Sequence, residues 1–299
     1  MKSILLSIIF ILLSINFVRA NNVLIVGTYD SFSAEWGPGP VIEIEFEKTC
    51  NCDVQYVSTS QAGTLANEIF IRDKDVILGV EMHEFDFSNE IWNVYDYGYF
   101  SFIYNEEKLK ETPQSFEDLV SQKDLKIVVQ DPRTSPVGLG LLRWLKLTHP
   151  NDFPEILKKF NSKVLTYTPG WSEAYGMFLD EKADLVLSYS TSPFYHQEYE
   201  DEYKYKALEF NEGHLITKEI VYVRPESEKQ KLGKEFVEFM VQDNIQKIIA
   251  QMNIMYPAKD TDSNIPDKMK KLKKPREIED QNFLESEPLI ETWLEVASS

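Results

Sequence analysis

Short β-rich runs alternate with helix-like segments along this chain, and that alternation limits its fold more than any other feature. VLIVG (23–27), VQYVS (54–58) and DVILGV (75–80) form a first set; KIVVQD (126–131), VLTYT (164–168) and DLVLSYS (184–190) form a second. Such alternation predicts an α/β fold with parallel strands. VIEIEFEKTC, between the first two runs, alternates like a strand but has Pro40 at a first-turn helical position. A parallel pair needs a crossover, which decides for a helix. Two longer runs, DYGYFSFIYNEEKL (96–109) and GHLITKEIVYV (213–223), read as strands linking the two sets. KQKLGKEFVEFMVQDNIQKIIAQM reads as one helix with Leu232, Phe236, Phe239 and Met240 facing a core. FLESEPLIETWLEVA reads as a terminal helix.

Two βα sets joined by crossing strands predict a clam shell. One lobe takes 21–97 plus about 216–299, the other about 98–215. Residues 1–20 stand apart from both. Lys2, the apolar ILLSIIFILLSINFV and the small residues of Val18-Arg19-Ala20 make a secretory signal peptide, cleaved after Ala20. The apolar run is shorter than the roughly 20 residues of a spanning helix, which favours export over anchoring.

The chain carries 31 basic and 49 acidic residues, a net charge of −18. Loss of Lys2 and Arg19 leaves 29 against 49, or −20. That balance argues against nucleic acid or an anionic membrane as partner. Cysteine occurs only in Cys50-Asn51-Cys52. Export permits a disulfide there, the tight ring disfavours one, and a metal needs more ligands. His83, His149, His196 and His214 lack paired spacing, and His83 in EMHEFDF reads as part of an acidic loop. No metal site or cofactor is expected.

In sheets of this kind ligands lie beyond the carboxyl ends of the strands. Tyr29 and Asp30 follow the first strand, with Trp36 before a Gly-Pro-Gly-Pro turn. Ser135-Pro136 follows the fourth, Gly170-Trp171 the fifth, and Tyr189-Ser190-Thr191-Ser192-Pro193-Phe194-Tyr195 the sixth. Ser135 fits an N-cap with Pro136 as first helical residue. Such a start either caps itself or offers free N–H groups and a helix dipole to an anion such as phosphate. The rings of Tyr29, Trp36, Trp171, Tyr189 and Tyr195 are expected in loops past the strands. Each attracts an organic cation by about 0.5–2 kcal/mol and stacks on flat heterocycles. With Asp30 as carboxylate, this set suits a flat cationic heterocycle, with or without phosphate.

TYDSFSAEWGPGP, CNCD, YDYGYFSFIY, QDPRTSPVGLGLL, GWSEAYGMFL, DLVLSYSTSP and FMV…MYP, in that order, resemble the thiamine-binding periplasmic proteins of bacterial thiamine ABC importers. The resemblance runs from about Val23 to Pro257. It implies a two-lobed periplasmic-binding-protein fold of type 2 and a non-catalytic protein of the periplasm. Such a protein takes up thiamine, thiamine monophosphate and thiamine diphosphate and delivers them to a membrane permease with a cytoplasmic ATPase. It further implies that Tyr29 and Trp36 line the cleft, that Ser135 contacts phosphate, and that Trp171, Tyr189 and Tyr195 flank the ligand. Gly63 and Ser192 are further candidates. This sequence departs from the family in three places. Ile254 stands where the family has a ligand-contacting Trp, Gln61-Ala62-Gly63 replaces an Asp-Gly turn, and the segment between Gly79 and Tyr95 is shorter. Two alternatives share the scaffold: a thiaminase-like enzyme using Cys50 or Cys52, and a ferric-ion-binding protein using Tyr189 and Tyr195 as a pair.

Overall fold

The computed structural model describes residues 22–298, and the expected signal peptide lies outside them. The strands are β1 (Val23–Tyr29), β2 (Asp53–Thr59), β3 (Val76–Glu81), β4 (Trp92–Asn105), β5 (Ile127–Gln130), β6 (Val164–Thr168), β7 (Leu185–Tyr189), β8 (Tyr205–Ala207), β9 (His214–Val223), β10 (Tyr256–Pro257) and β11 (Glu277–Ile278). The main path runs β2-β1-β3-β9-β4-β7-β5-β6, with β8 and β10 on β4 and β11 on β9. β1 pairs in parallel with β2 and β3, and β5 with β6 and β7. These are the two predicted sets.

β4 joins them. Its first part, Trp92 to Tyr99, pairs antiparallel with β9, and its second, Phe100 to Tyr104, pairs antiparallel with β7. One continuous strand therefore serves both lobes, with β9 beside it. Each lobe has its own core. In the first, Leu24 and Val26 of β1 meet Ile42 and Phe46 of the Gly39–Cys50 helix, and Phe46 packs edge-on against Phe236 with ring centroids 5.1 Å apart. In the second, Phe102, Phe116, Trp144, Phe160 and Phe210 cluster, and the Trp144 indole N–H donates to the Gly213 carbonyl at 3.0 Å.

Several expectations change. The long helix from 230 breaks: Gln230–Phe239 ends, Gln242 is extended, and a new helix runs Asp243–Ile248. The break turns Gln246 inward, where its amide donates to the carbonyls of Tyr95 and Met240, both at 2.9 Å. A π-helical turn, Ile249–Asn253, then ends at Ile254 in the left-handed region, φ 60°. From sequence the terminal helix, Ser286–Ala297, is expected in the first lobe. It instead packs on the Pro136–Thr148 and Phe153–Asn161 helices of the second, because Leu289 and Trp293 complete that lobe's core. Cys50 and Cys52 are joined by a disulfide around Asn51, which takes a left-handed turn between the helix and β2. Among the described residues no group of three His, Cys, Asp or Glu side chains is placed to hold a metal ion. His83 lies 3.7 Å from Asp280, and burial pushes its pKa down to about 4.

Candidate functional site

Side chains of paired strands alternate between two faces. On one face of the crossing strands Asp96 lies opposite Glu219, and Gly98 opposite Thr217. Tyr97 opposite Lys218 and Tyr99 opposite Ile216 occupy the other.

The first face holds the floor of the site. Glu81 at the end of β3, Asp96 and Glu219 are all buried. The Tyr29 hydroxyl donates to Glu219 Oε2 at 2.9 Å, and the Tyr95 hydroxyl donates to the same oxygen. Asn253 Nδ2 donates to Asp96 Oδ2 at 2.7 Å and to the Tyr29 hydroxyl at 3.0 Å. Thr217 donates to Glu81. Asp96 Oδ1 is buried with no hydrogen-bond partner among the described residues. Burial pushes Glu219 up to about 7. Burial, reinforced by the Glu219 charge, holds Asp96 and Glu81 well above the usual carboxylate range. Glu81 feels Arg143 from a distance, and no Lys, Arg or His forms an ion pair with the three among the described residues. Gly79 makes the arrangement feasible. Its φ is +97°, and a Cβ there would stand 2.4 Å from the Tyr29 ring, so a side chain would evict Tyr29.

One ring, Tyr189, lies beside this floor, and Trp171 is tied to it through hydrogen bonds. Tyr189, the last residue of β7, stacks on Phe100 at 5.6 Å, beside the bare Cα of Gly98. Burial, then the charges of Glu81, Glu219 and Asp96, keep its hydroxyl protonated, which sets Tyr189 beside the three acids. Trp171 opens the Trp171–Leu179 helix, stacks on Tyr175 at 4.7 Å and donates its indole N–H to Ser188 Oγ at 2.7 Å. The Ser188 and Ser192 hydroxyls share a 2.7 Å bond, and Ser192 Oγ accepts from the Tyr189 N–H at 3.4 Å. Trp171, Ser192 and Tyr189 are thus held by one chain of hydrogen bonds.

Ser135 is buried at the N-cap of the Pro136–Thr148 helix, yet its side chain makes no capping bond. Gly63, from the first lobe, lies directly over it. The Gly63 N–H donates to the Thr134 carbonyl at 3.0 Å. Nearby, a Cβ on Gly170 would stand 2.8 Å from the Ser60 carbonyl oxygen. The lobes touch across this mouth.

Other predicted residues stand elsewhere. Asp30 is exposed at the start of the short Asp30–Ser33 helix. Trp36, 60% exposed, and Tyr195, 41% exposed, lie on the surface. Tyr29 and Tyr189 end strands, and Trp171 and Tyr195 belong to helices, leaving Trp36 alone of the five in a loop. β1 continues two residues past VLIVG and so takes in Tyr29, while Tyr189 lies inside the predicted DLVLSYS run. Ile254 packs against the cluster of Tyr99, Phe194, Ile216 and Tyr256, on the opposite face of the crossing strands. Sequence reasoning missed Glu81, Asp96, Glu219, Tyr95 and Asn253. The signal was there for the acids: DVILGVE, NVYDYGYF and ITKEIVYV each set a carboxylate in a strand otherwise fit for burial, a costly arrangement that marks functional sites.

Residues 80–286 match the family model of bacterial extracellular solute-binding proteins. This chain belongs to that family. Among its relatives, a thiamine-binding periplasmic protein of Escherichia coli is 39% identical over 286 residues, covering 86% of this chain and 87% of that protein. One of Brucella melitensis is 36% identical over 285 residues, covering 86% and 85%. A solved periplasmic thiamin binding protein superposes with a TM-score of 0.86 at 36% identity, covering 93% of this chain and 96% of that one. The motif resemblance therefore extends over most of this solute-binding protein. A ferric binding protein from Campylobacter jejuni, with a TM-score of 0.70 at 14% identity over 92% and 98% of the two chains, shares the fold alone.

Proposed function

We propose that this protein binds thiamine between its lobes in the periplasm and hands it to an ABC permease driven by a cytoplasmic ATPase. The acidic floor beside the Tyr189 ring carries the reading. Thiamine joins a permanently cationic thiazolium to a flat aminopyrimidine, so it supplies the charge that Glu81, Asp96 and Glu219 lack and a face for Tyr189. Thiamine phosphates carry the same rings and enter the same cleft. Residues 1–20 serve as the export signal, cut after Ala20. The ligand is cargo, and no cofactor is needed to hold it.

Binding without chemistry fits the placement of the cysteines. Both are consumed in the Cys50–Cys52 disulfide at the start of β2, the opposite end from the cleft. A thiaminase-like nucleophile would need a free thiolate with a base in reach. The ferric alternative needs two tyrosines on one point, whereas Tyr195 is exposed and packs on Tyr199 and His196. Calorimetric titration of the folded protein with thiamine tests the reading. Saturable binding at micromolar concentration or below is expected, and its absence overturns it.

A further inference from the structure

We infer that His196, with Glu200 behind it, is a positioning residue that sets the Trp171 ring for the ligand, acting through Tyr175. This role rests on the thiamine reading and concerns the residues behind that site.

Two helices start just past β6 and β7. Trp171 opens the Trp171–Leu179 helix, and Tyr175 follows four residues later on the same helix face. His196 and Glu200 stand at the same spacing at the end of the Pro193–Tyr199 helix. The two pairs meet. The Tyr175 ring stacks on Trp171 at 4.7 Å with 22° between planes, and on His196 at 5.8 Å with 12°. His196 Nε2 lies 3.0 Å from the Tyr175 hydroxyl, and Nδ1 lies 2.6 Å from Glu200 Oε2. A carboxylate only accepts, so Nδ1 donates to Glu200 and Nε2 is left to accept from Tyr175. Burial, reinforced by Tyr205 and Glu200, pushes the Tyr175 hydroxyl well above its ordinary value, which keeps it a donor.

Packing alone requires less than this. Tyr175 and His196 are both buried, and apolar side chains would fill the same space without polar groups to satisfy. A chain of hydrogen bonds fixes the plane of the Tyr175 ring, and with it the plane on which Trp171 lies. Glu200 is itself held: its N–H and that of Glu202 both donate to the His196 carbonyl, at 3.1 and 3.0 Å. The Trp171 indole is fixed at its edge by Ser188 and on a face by Tyr175, yet it stays partly exposed. A ring fixed before the ligand arrives loses little rotamer freedom on stacking, which tightens binding.

Tyr175→Phe keeps the ring and removes the hydroxyl. Glu200→Ala removes the anchor at a side chain 42% exposed, and Glu200→Gln keeps an acceptor for Nδ1. Calorimetric titration with thiamine and thermal melts, on each variant alone and combined with Trp171→Phe, test the role. Tyr175→Phe should weaken thiamine binding about fivefold and Glu200→Ala about threefold, with Glu200→Gln restoring most of the loss. Combined with Trp171→Phe, each should add less than about 1.5-fold, because the effect passes through that indole. In the free protein, the near-ultraviolet circular dichroism that Trp171→Phe removes should shrink in Tyr175→Phe and Glu200→Ala. A lowered melting temperature with unchanged affinity, equal losses with and without Trp171, or an unchanged dichroism band gives these residues a structural role only. Each overturns the inference while leaving thiamine as ligand. No thiamine binding by the wild-type protein overturns the functional reading, and the inference with it. If Tyr175→Phe does not fold, the Glu200 variants decide.

Discussion

The two faces of β4 and β9 are built from the same ten or so positions of sequence and differ in one respect: whether charge is answered. On the face away from the cleft, Lys218 pairs with Glu279 at 2.7 Å. Lys274 pairs with Asp260, donates to the Tyr97 hydroxyl at 2.7 Å and sits 4.4 Å from the centre of the Tyr256 ring. On the cleft face Asp96 and Glu219 are buried with hydroxyl and amide donors but no cation. Burying carboxylates this way opposes folding. A protein keeps such an arrangement where something else completes it, and under the proposed function the cation of thiamine would do so.

The contrast predicts its largest effect at Glu219. Glu219→Gln should weaken thiamine binding by about 2–3 kcal/mol, roughly a hundredfold, because it withdraws a buried charge from the ligand's cation. Lys274→Met, across the same strands, should change affinity less than about threefold, since its ion pair is partly solvated and worth little. Parallel calorimetry on both variants checks this. Comparable losses would break the distinction between the faces.

Gly79 comes next. Gly79→Ala forces a Cβ into the Tyr29 ring at a φ of +97°, so the hydroxyl leaves Glu219. We expect roughly 2–3 kcal/mol lost from stability, measured by urea unfolding, with thiamine affinity falling alongside. Retained affinity in a destabilised variant would show that Tyr29 supports the strand without shaping the floor.

The lobes were legible because their signals are local: apolar runs mark strands, and Pro40 and Pro136 mark helix starts. Trp171, Tyr189 and Ser192 were legible for the same reason, lying where strands β6 and β7 end. The floor was hidden because Asp96 and Glu219 meet only through antiparallel pairing of distant segments, and Glu81 joins them through Thr217. Asp30 had the right chemistry in the right stretch, but the chain turns into a short helix there and leaves it in solvent. The terminal helix shows the same limit. Leu289 and Trp293 announce an apolar face, while its partner is set by the path of the tail past β9.

Proton linkage sharpens the comparison further. Glu219, raised from its ordinary 4.5 to about 7, stabilises the ligand-free fold fully below 4.5 and loses that contribution as pH rises through 7. Asp260 on the other face is opposite in sign. Burial pushes it up, but hydrogen bonds from Lys274 and Tyr97 and the Lys274 charge outweigh that and hold it below 3.8. Its stabilisation is present above that value and lost as pH falls further. Ligand-free Tm should therefore decline between pH 5 and 8. A cation ionises Glu219, so thiamine affinity should rise by up to about tenfold per pH unit below 7 and level off above. Titrations at pH 6, 7 and 8 check the slope; a flat profile would mean the floor is already ionised without ligand.

The smallest effect is expected at Ile254. It packs with Tyr99, Phe194, Ile216 and Tyr256, on the face where charge is already answered. A β-branched residue at φ 60° is also a strained choice, because its Cβ substituents crowd the backbone. Ile254→Trp keeps an apolar side chain at this half-buried position and removes the branching. It should alter stability by no more than about 0.5 kcal/mol and thiamine affinity by less than about threefold, as read from thermal melts and the same titration. A tenfold gain for the phosphate esters alone would show that residue 254 reaches the ligand after all. It would carry the boundary between the two faces one position further along the π-helical turn than Asn253, whose amide already holds Asp96 and Tyr29.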